Sequence, residues 1–112
     1  MPRDSNTAHI VWAGAGNALK YAIWTVGGGL SSVTDVGQSG IDPQLVDRGG
    51  GTLWIIYSPN DTNPCTVKMV SSTNPTSSWS SATTIMTGDS DGSHYEDVCA
   101  CEAPNGDLLV SV

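Results

Sequence analysis

Apolar residues fall in short runs along this chain, and none of the runs has the period of a helix. The longest run, residues 53–57 (LWIIY), has the length of one β-strand. Every window of ten residues that keeps apolar side chains at positions i, i+3, i+4 and i+7 is interrupted by Gly, Pro or a Ser/Thr cluster. Thirteen glycines and six prolines also disfavour helices. The sequence therefore predicts an all-β fold.

The run at 53–57 is apolar on both sides of the strand that it predicts. Successive side chains of a strand point to opposite faces, so Leu53, Ile55 and Tyr57 face one way, and Trp54 and Ile56 face the other. Residues 108–112 repeat this two-sided pattern, whereas 31–36 and 80–86 are rich in Ser and Thr, as solvent-facing edge strands are. The pattern predicts a sheet whose central strands are covered on both faces.

Several segments align with a second copy of themselves further along the chain. Residues 9–14 align with 54–59, 19–22 with 67–70, 31–36 with 80–85, and 44–54 with 98–109. A period of about 45 to 55 residues with four short strands per unit is typical of β-propeller blades. We therefore expect a partial β-propeller of roughly two four-stranded antiparallel blades plus a surplus strand. The alternative is a β-sandwich, which does not explain the long-period repeat.

The repeat also predicts the order of the strands. With strands named A to D outward from the propeller axis, residues 7–112 read B-C-D, A-B-C-D, A-B, after an N-terminal tail at 1–6. About three or more units are needed before stacked repeats bury their faces. We therefore expect either a fragment of a longer propeller chain or a protomer that assembles with copies of itself.

Composition narrows the classes of partner. The net charge is −7, with only four Lys or Arg residues, so neither nucleic acid nor an anionic membrane surface is an expected partner. An acidic surface rich in Ser, Thr and Asn suits a glycan or a small polyol better. It also suits an extracytoplasmic or virion-associated setting.

Loops at one face of the predicted blades carry most of the candidate ligand-binding groups. The B–C and D–A connections, at 13–18, 36–43, 59–64 and 87–97, open on this face, and the A–B and C–D connections open on the other. The candidate ligand-binding residues are Asp42, Asn60, Asp61, His94, Tyr95, Glu96 and Asp97. Asp89 and Asp91 resemble the start of a calcium loop, with a plain solvated loop as the alternative. No other cofactor is expected.

Residues 41–57 (IDPQLVDRGGGTLWIIY) resemble a segment of arabinanase/xylosidase-type glycosidases. The resemblance implies that Asp42 lies at the start of an innermost strand and tunes the pKa of a general acid. Glu96, followed by Asn105 and then 106–109 (GDLL), is similar to the segment that carries that acid. Asp97 and Val98 follow the Glu where the family has Ala-Pro. The catalytic pair that the resemblance implies is Asp42 and Glu96, with a base supplied from elsewhere.

Residues 72–79 (STNPTSSW) resemble a degenerate Asp-box of sialidase-like propellers, with Asn74 in place of the Asp and Thr76 in place of the Gly. The resemblance implies a structural role, in which a polar side chain ties a turn between strands C and D and Trp79 packs between blades. Sialidases hold their substrate's carboxylate with three arginines. This chain has only Arg3 and Arg48, so sialidase activity by the chain alone is not expected.

Cys99 and Cys101 lie two positions apart on a predicted strand and therefore face the same side. We expect both to pack in a core as small apolar side chains, with a metal-binding pair as the alternative.

Together these features favour a non-catalytic or incomplete β-propeller module for glycan binding or for scaffolding in a larger or self-assembled propeller. One alternative is part of a glycoside hydrolase that uses paired carboxylates. Another is a purely structural self-assembling protein. Whether the chain is an enzyme is left open by the sequence, and the missing base favours the non-enzymatic interpretation.

Overall fold

The chain is built from β-strands in this computed structural model, which describes residues 1–59, 64–88 and 98–112. No α-helix occurs in these ranges, and every strand pairing is antiparallel. The strands are β1 (Thr7–Ala13), β2 (Ala18–Thr25), β3 (Gly29–Leu30), β4 (Thr34–Ser39), β5 (Ile41–Asp47), β6 (Leu53–Ser58), β7 (Thr66–Ser72), β8 (Thr83–Thr87), β9 (Cys99–Glu102) and β10 (Leu108–Ser111). The prediction of an all-β fold is confirmed.

The strands form separate sheets, none of which closes on itself. In the first sheet β1 pairs with β2, and both β3 and β4 pair with the far edge of β2. The second sheet is a meander in the order β5-β6-β7-β8, and the third is the hairpin of β9 and β10. The first strand of the second sheet, β5, lies next to both β1 and β9. The second sheet is therefore the middle layer of the described structure.

Both faces of the middle sheet are packed, because the apolar side chains of β6 alternate between two cores. Leu53, Ile55 and Tyr57 join a core with Leu19, Tyr21, Val36 and Val70 between the first and second sheets. Ile56 joins a second core with Val46, Val67 and Val98, against which Trp54 and Leu108 pack. The two-sided burial predicted for residues 53–57 is confirmed.

Hydrogen bonds recur at aligned positions of the first two sheets. Ser31 donates its amide to the carbonyl of Ile23 at 2.7 Å, and its hydroxyl accepts the amide of Ile23 at 2.9 Å. Ser80, which the sequence alignment matches to Ser31, makes the same two bonds with Ser71 at 2.8 and 2.9 Å. The two sheets therefore share backbone geometry at this edge as well as a sequence pattern.

A second pair of equivalent bonds lies at the other end of the same strands. The amide of Gly40 donates to the carbonyl of Asn17, and that of Gly88 donates to the carbonyl of Cys65, each at 2.8 Å. The register also shifts at matching places, between Ala18 and Lys20 in the first sheet and between Val67 and Lys68 in the second. The irregularities of the two sheets repeat along with their strands.

The first residues of the chain follow the free edge of β1. The amino group of Met1 donates to the carbonyl of His9 at 2.9 Å, and the amide of His9 donates to the carbonyl of Met1 at 2.7 Å. Asp4 then closes a turn by accepting the amides of Asn6 and Thr7, each at 2.8 Å. These bonds lower the pKa of Asp4, the Asn6 amide having the largest effect. Part of the segment expected as a tail thus pairs with the first sheet.

Gly40 provides a test of the packing at the start of the second sheet. A Cβ added there would lie 2.6 Å from the carbonyl oxygen of Ser58 and closer still to the ring of Tyr57, which is fully buried. We expect Gly40→Ala to lower the free energy of unfolding by about 2 kcal/mol or more, because neither neighbour can move without disturbing β6. Urea denaturation followed by Trp fluorescence measures this change.

Gly14→Ala is the matched control. Its φ of −89° suits any residue, and an added Cβ would meet nothing nearer than 3.5 Å. The free energy of unfolding should then change by no more than about 0.5 kcal/mol. Equal effects of the two substitutions would contradict the packing described for Gly40.

Candidate functional site

Most of the carboxylate site predicted from the sequence lies outside the described residues. This applies to Asn60, Asp61, Asp89, Asp91, His94, Tyr95, Glu96 and Asp97. Asp42 is described and lies at the start of β5, half-buried, where a register shift separates Ile41 from Gln44. Its φ of +49° is in the left-handed region although Pro43 follows it. A residue before proline usually has an extended backbone, so the conformation of Asp42 is uncommon.

A cleft of about 450 Å³ lies between the first and second sheets, at the end where the β5–β6 and β7–β8 turns meet. These are the turns that the sequence places on the face opposite the predicted carboxylate site. The polar side chains that line the cleft are those of Arg3, His9, Asp47, Thr73, Asn74 and Thr76, with Tyr21 buried beneath them. The cleft is therefore a second candidate site, built from residues that are distant in the sequence.

His9 lines the cleft, and Tyr21 lies buried beneath it with no exposed surface. They lie on the paired strands β1 and β2 and face the same side of the first sheet. Nδ1 of His9 is 2.6 Å from the hydroxyl oxygen of Tyr21. Burial, followed by the charge of Arg3, lowers the pKa of His9, and burial raises the pKa of Tyr21. Both groups are therefore held in their neutral forms near pH 7, joined by one short hydrogen bond.

Charges of opposite sign line the cleft around this pair. Arg3 lowers the pKa of His9 and Asp47 raises it, so both charges act on the imidazole. The carboxylate of Asp47 is held in place because its Oδ1 accepts the amide of Gly49 at 2.8 Å. The next residues of the turn, Gly50 and Gly51, have φ values of +60° and +82°, which glycine adopts without strain. This wall of the cleft is backbone without side chains.

The segment that resembles an Asp-box forms the opposite wall. The hydroxyl of Ser72 donates to the carbonyl of Ser78 at 2.5 Å, and the amide of Asn74 donates to the hydroxyl of Ser72 at 2.9 Å. The indole nitrogen of Trp79 donates to the carbonyl of Pro75 at 3.0 Å. The hydroxyl of Ser72 thus ties the turn by two hydrogen bonds, and the side chain of Asn74 accepts one long bond, 3.5 Å, from the hydroxyl of Thr76.

Trp79 also connects this turn to Tyr21 beneath the cleft. Its ring meets that of Tyr21 edge to face, with centroids 5.5 Å apart and an interplanar angle of 62°. The hydroxyl of Thr34, on the first sheet, donates to the carbonyl of Thr76 at 3.0 Å. Trp79 therefore packs between the first and second sheets, and the Thr34 bond ties the turn to the first sheet.

Arg48 has a structural role in the part of the chain that the structure describes. Its guanidinium lies 4.6 Å from the centre of the Trp54 ring and 3.1 Å from a carboxylate oxygen of Glu102 on β9. The second contact joins the second and third sheets. A cation held between a ring and a carboxylate is better placed to connect the two sheets than to receive a ligand.

The expectation that Cys99 and Cys101 pack in a core is wrong for the described chain. Both are free thiols exposed on β9, whereas Cys65 is buried. Their side chains face away from the second core, on the side of the third sheet that no described residue covers. Within the described ranges no group of three or more His, Cys, Asp or Glu side chains is placed to hold a metal ion.

Comparison of the chain with protein-family models, with curated proteins and with solved structures finds no match. Among the described residues there is also no helix of the length and hydropathy needed to cross a membrane.

The sequence offered no direct signal for the cleft. Arg3, Asp47 and Asn74 come from separate turns, and His9 alternates with apolar residues in β1, which points to a structural histidine. The useful signal would have been strand register, because His9 becomes a neighbour of Tyr21 only when β1 and β2 pair as they do here.

The neutral state of His9 has a consequence for stability that can be measured. Because its pKa is lower in the folded chain than in the unfolded chain, the unfolded chain binds the extra proton as the pH falls below about 6.5. We therefore expect the urea concentration at the denaturation midpoint to decrease when the pH is lowered from 7.5 to 5.5. His9→Gln should make this decrease smaller. The lowered pKa values of Asp4 and Asp35 act only at lower pH.

Titration of the imidazole signals by NMR provides the direct readout. Tyr21→Phe serves as the control, since it removes the hydroxyl next to Nδ1 and leaves the ring packing in place. A pKa for His9 at or above its ordinary value in the native chain would contradict the neutral pair.

Proposed function

We propose that this chain is a non-catalytic β-propeller module that serves as a scaffold by packing head to tail on a second copy of itself. The observation that carries this proposal is the burial of the second sheet on both faces, compared with the exposed outer faces of the other two sheets. In a propeller each blade is covered by a neighbour on either side.

The outer face of the first sheet has the composition of a covered face. Ile10 and Trp12 align with Ile55 and Tyr57, which have no exposed surface in the second sheet because the first sheet covers them. Ile10 and Trp12 themselves are only half-buried, and Trp24 on the same face is 40% exposed. The repeat therefore supplies an apolar face here that lacks a neighbour among the described residues.

The outer face of the third sheet is the complementary surface. Cys101 takes the place that Val46 occupies in the second sheet, where that side chain is 3% exposed. Leu109 takes the place of Trp54 and is 54% exposed. Together with the exposed Val112, these side chains form an apolar surface on the third sheet. A soluble protein is expected to cover such a surface.

The two exposed faces match the two kinds of face that pack within the chain. The first sheet presents Leu19 and Tyr21 to the second sheet, and the aligned residues Val67 and Met69 face the third. The same type of contact thus occurs twice, always between non-equivalent faces. A third contact of this type, between the outer face of the third sheet and the first sheet of another copy, gives a heterologous, head-to-tail assembly.

A charge introduced on the outer face of the third sheet tests this assembly. We expect the native chain to sediment as an oligomer of the 11.6 kDa protomer, and Leu109→Asp to sediment as a folded monomer. The monomer should stay folded because the Leu109 side chain is already largely exposed within one chain. Sedimentation velocity and circular dichroism measure mass and fold separately.

Val26→Asp is the matched control, since Val26 is 59% exposed in the turn between β2 and β3, outside the strands. It should leave the oligomer intact. A native chain that remains monomeric at its highest soluble concentration would overturn the proposal, as would dissociation by Val26→Asp.

The backbone conformation of Asp42 supports a second candidate function. This function is a glycan site on the face where the sequence predicts the carboxylates. Its left-handed backbone costs free energy and is typically retained where a side chain must be aimed at a ligand. The resemblance to arabinanase/xylosidase-type glycosidases implies the same residue. In this proposal Asp42 contributes to sugar binding, and Glu96 acts as the acid if hydrolysis occurs.

Asp42→Asn tests this second function, because asparagine tolerates the left-handed conformation and removes only the charge. We expect the free energy of unfolding to change by no more than about 0.5 kcal/mol while arabinoside or xyloside binding weakens by about tenfold. Calorimetric titration and hydrolysis of chromogenic arabinosides and xylosides provide the measurements. Unchanged binding in Asp42→Asn would rule out a role for this carboxylate.

A further inference from the structure

We propose that the cleft between the first and second sheets binds a small neutral polyhydroxylated ligand, such as a single sugar residue. The site is distinct from the predicted carboxylate site, since it is formed by turns at the other end of the strands. It is also contained within one chain, so it does not depend on the head-to-tail assembly.

The size and the walls of the cleft suit an amphipathic ring. A volume of about 450 Å³ falls in the range of small-molecule sites, which is about 300 to 1,000 Å³. Ile23 and Pro75 supply apolar surface that a ligand can reach, whereas Leu53 and Tyr21 beside them are buried. A sugar ring has apolar C–H faces and a polar rim, so it can use both kinds of surface at once.

The polar groups of the cleft favour a neutral ligand with several hydroxyls. Arg3 donates only, the carboxylate of Asp47 accepts only, and Asn74 can do both. A hydroxyl group both donates and accepts, so a polyol can satisfy all three. One cation and one carboxylate at the same cleft favour neither an anion nor a metal ion, because each charged ligand would meet a like charge.

The site is organised before any ligand arrives. The hydroxyl of Tyr21 is held by His9 at 2.6 Å, and its ring is held by Trp79. Asp47 is oriented by the amide of Gly49, and the wall formed by 72–79 is tied to the first sheet by the bond from Thr34 to Thr76. Binding therefore needs little ordering of the protein, which is the main cost that weakens the binding of small ligands.

Ligand-detected NMR on the full chain tests the proposal. The neutral probes are the methyl glycosides of glucose, galactose, arabinose and xylose, and glucuronate is the anionic probe. We expect saturation transfer to at least one neutral glycoside, accompanied by a shift of the His9 imidazole signals. The absence of transfer to every neutral probe, or transfer to glucuronate alone, would overturn the assignment.

Variants locate the bound sugar. Asp47→Asn keeps the oxygen that accepts from Gly49 but loses the charge, and we expect it to weaken binding by about tenfold, as Arg3→Gln should. Asp107→Asn removes the same charge from the β9–β10 turn and should have no effect. Circular dichroism confirms that each variant is folded.

Two further variants separate this inference from the proposed functions. Leu109→Asp should bind the sugar as tightly as the native chain, whatever its oligomeric state. Asp42→Asn, which the second candidate function expects to weaken binding at the opposite face, should leave the sugar-induced shift of the His9 imidazole signals unchanged, because His9 lines the cleft. If Asp42→Asn abolishes sugar binding and Asp47→Asn does not, the cleft assignment is overturned and the ligand belongs to the opposite face.

Discussion

The structure depends on one constraint, which is that the central strands of its sheets are apolar on both faces. β6 sends Leu53, Ile55 and Tyr57 into one core and Ile56 into the other, so it cannot be stable with a neighbour on one side only. At about 25 cal/mol per Å² of apolar surface, leaving either face in water forfeits several kcal/mol, which is comparable to the stability of a small domain. The second sheet therefore depends on a neighbouring sheet on each face.

The same constraint explains where the cleft forms. Two twisted sheets that pack through their central strands separate towards their ends, and the turns at those ends determine what fills the gap. Here Tyr21 stays in the first core with no exposed surface, and beneath the cleft its ring meets Trp79 and its hydroxyl meets His9. A residue that closes the core thus also supports the candidate site.

Much of the fold could be predicted because it depends on local patterns. The alternation at 53–57 predicted both cores, and the alignment of Ser31 with Ser80 located two sets of equivalent hydrogen bonds. The exposure of Cys99 and Cys101 could not be predicted in this way. A strand that is apolar on both sides indicates that both of its faces are buried. The pattern is the same whether the residues that bury them belong to the same chain or to another.

The candidate site was harder to predict because it depends on register rather than on composition. The carboxylates of the predicted site lie on loops that the repeat assigns to one face, whereas Arg3, His9 and Asp47 come together only through the pairing of β1 with β2 and the approach of β1 to β5. A one-residue slip of β1 would turn His9 away from Tyr21 and place Ile10 in the cleft. That slip would also take Val11 off the first core, against which it packs in the present register. The polar chemistry of the cleft is therefore positioned by hydrophobic packing, and a sequence pattern that predicts the core predicts the site only once the register is known.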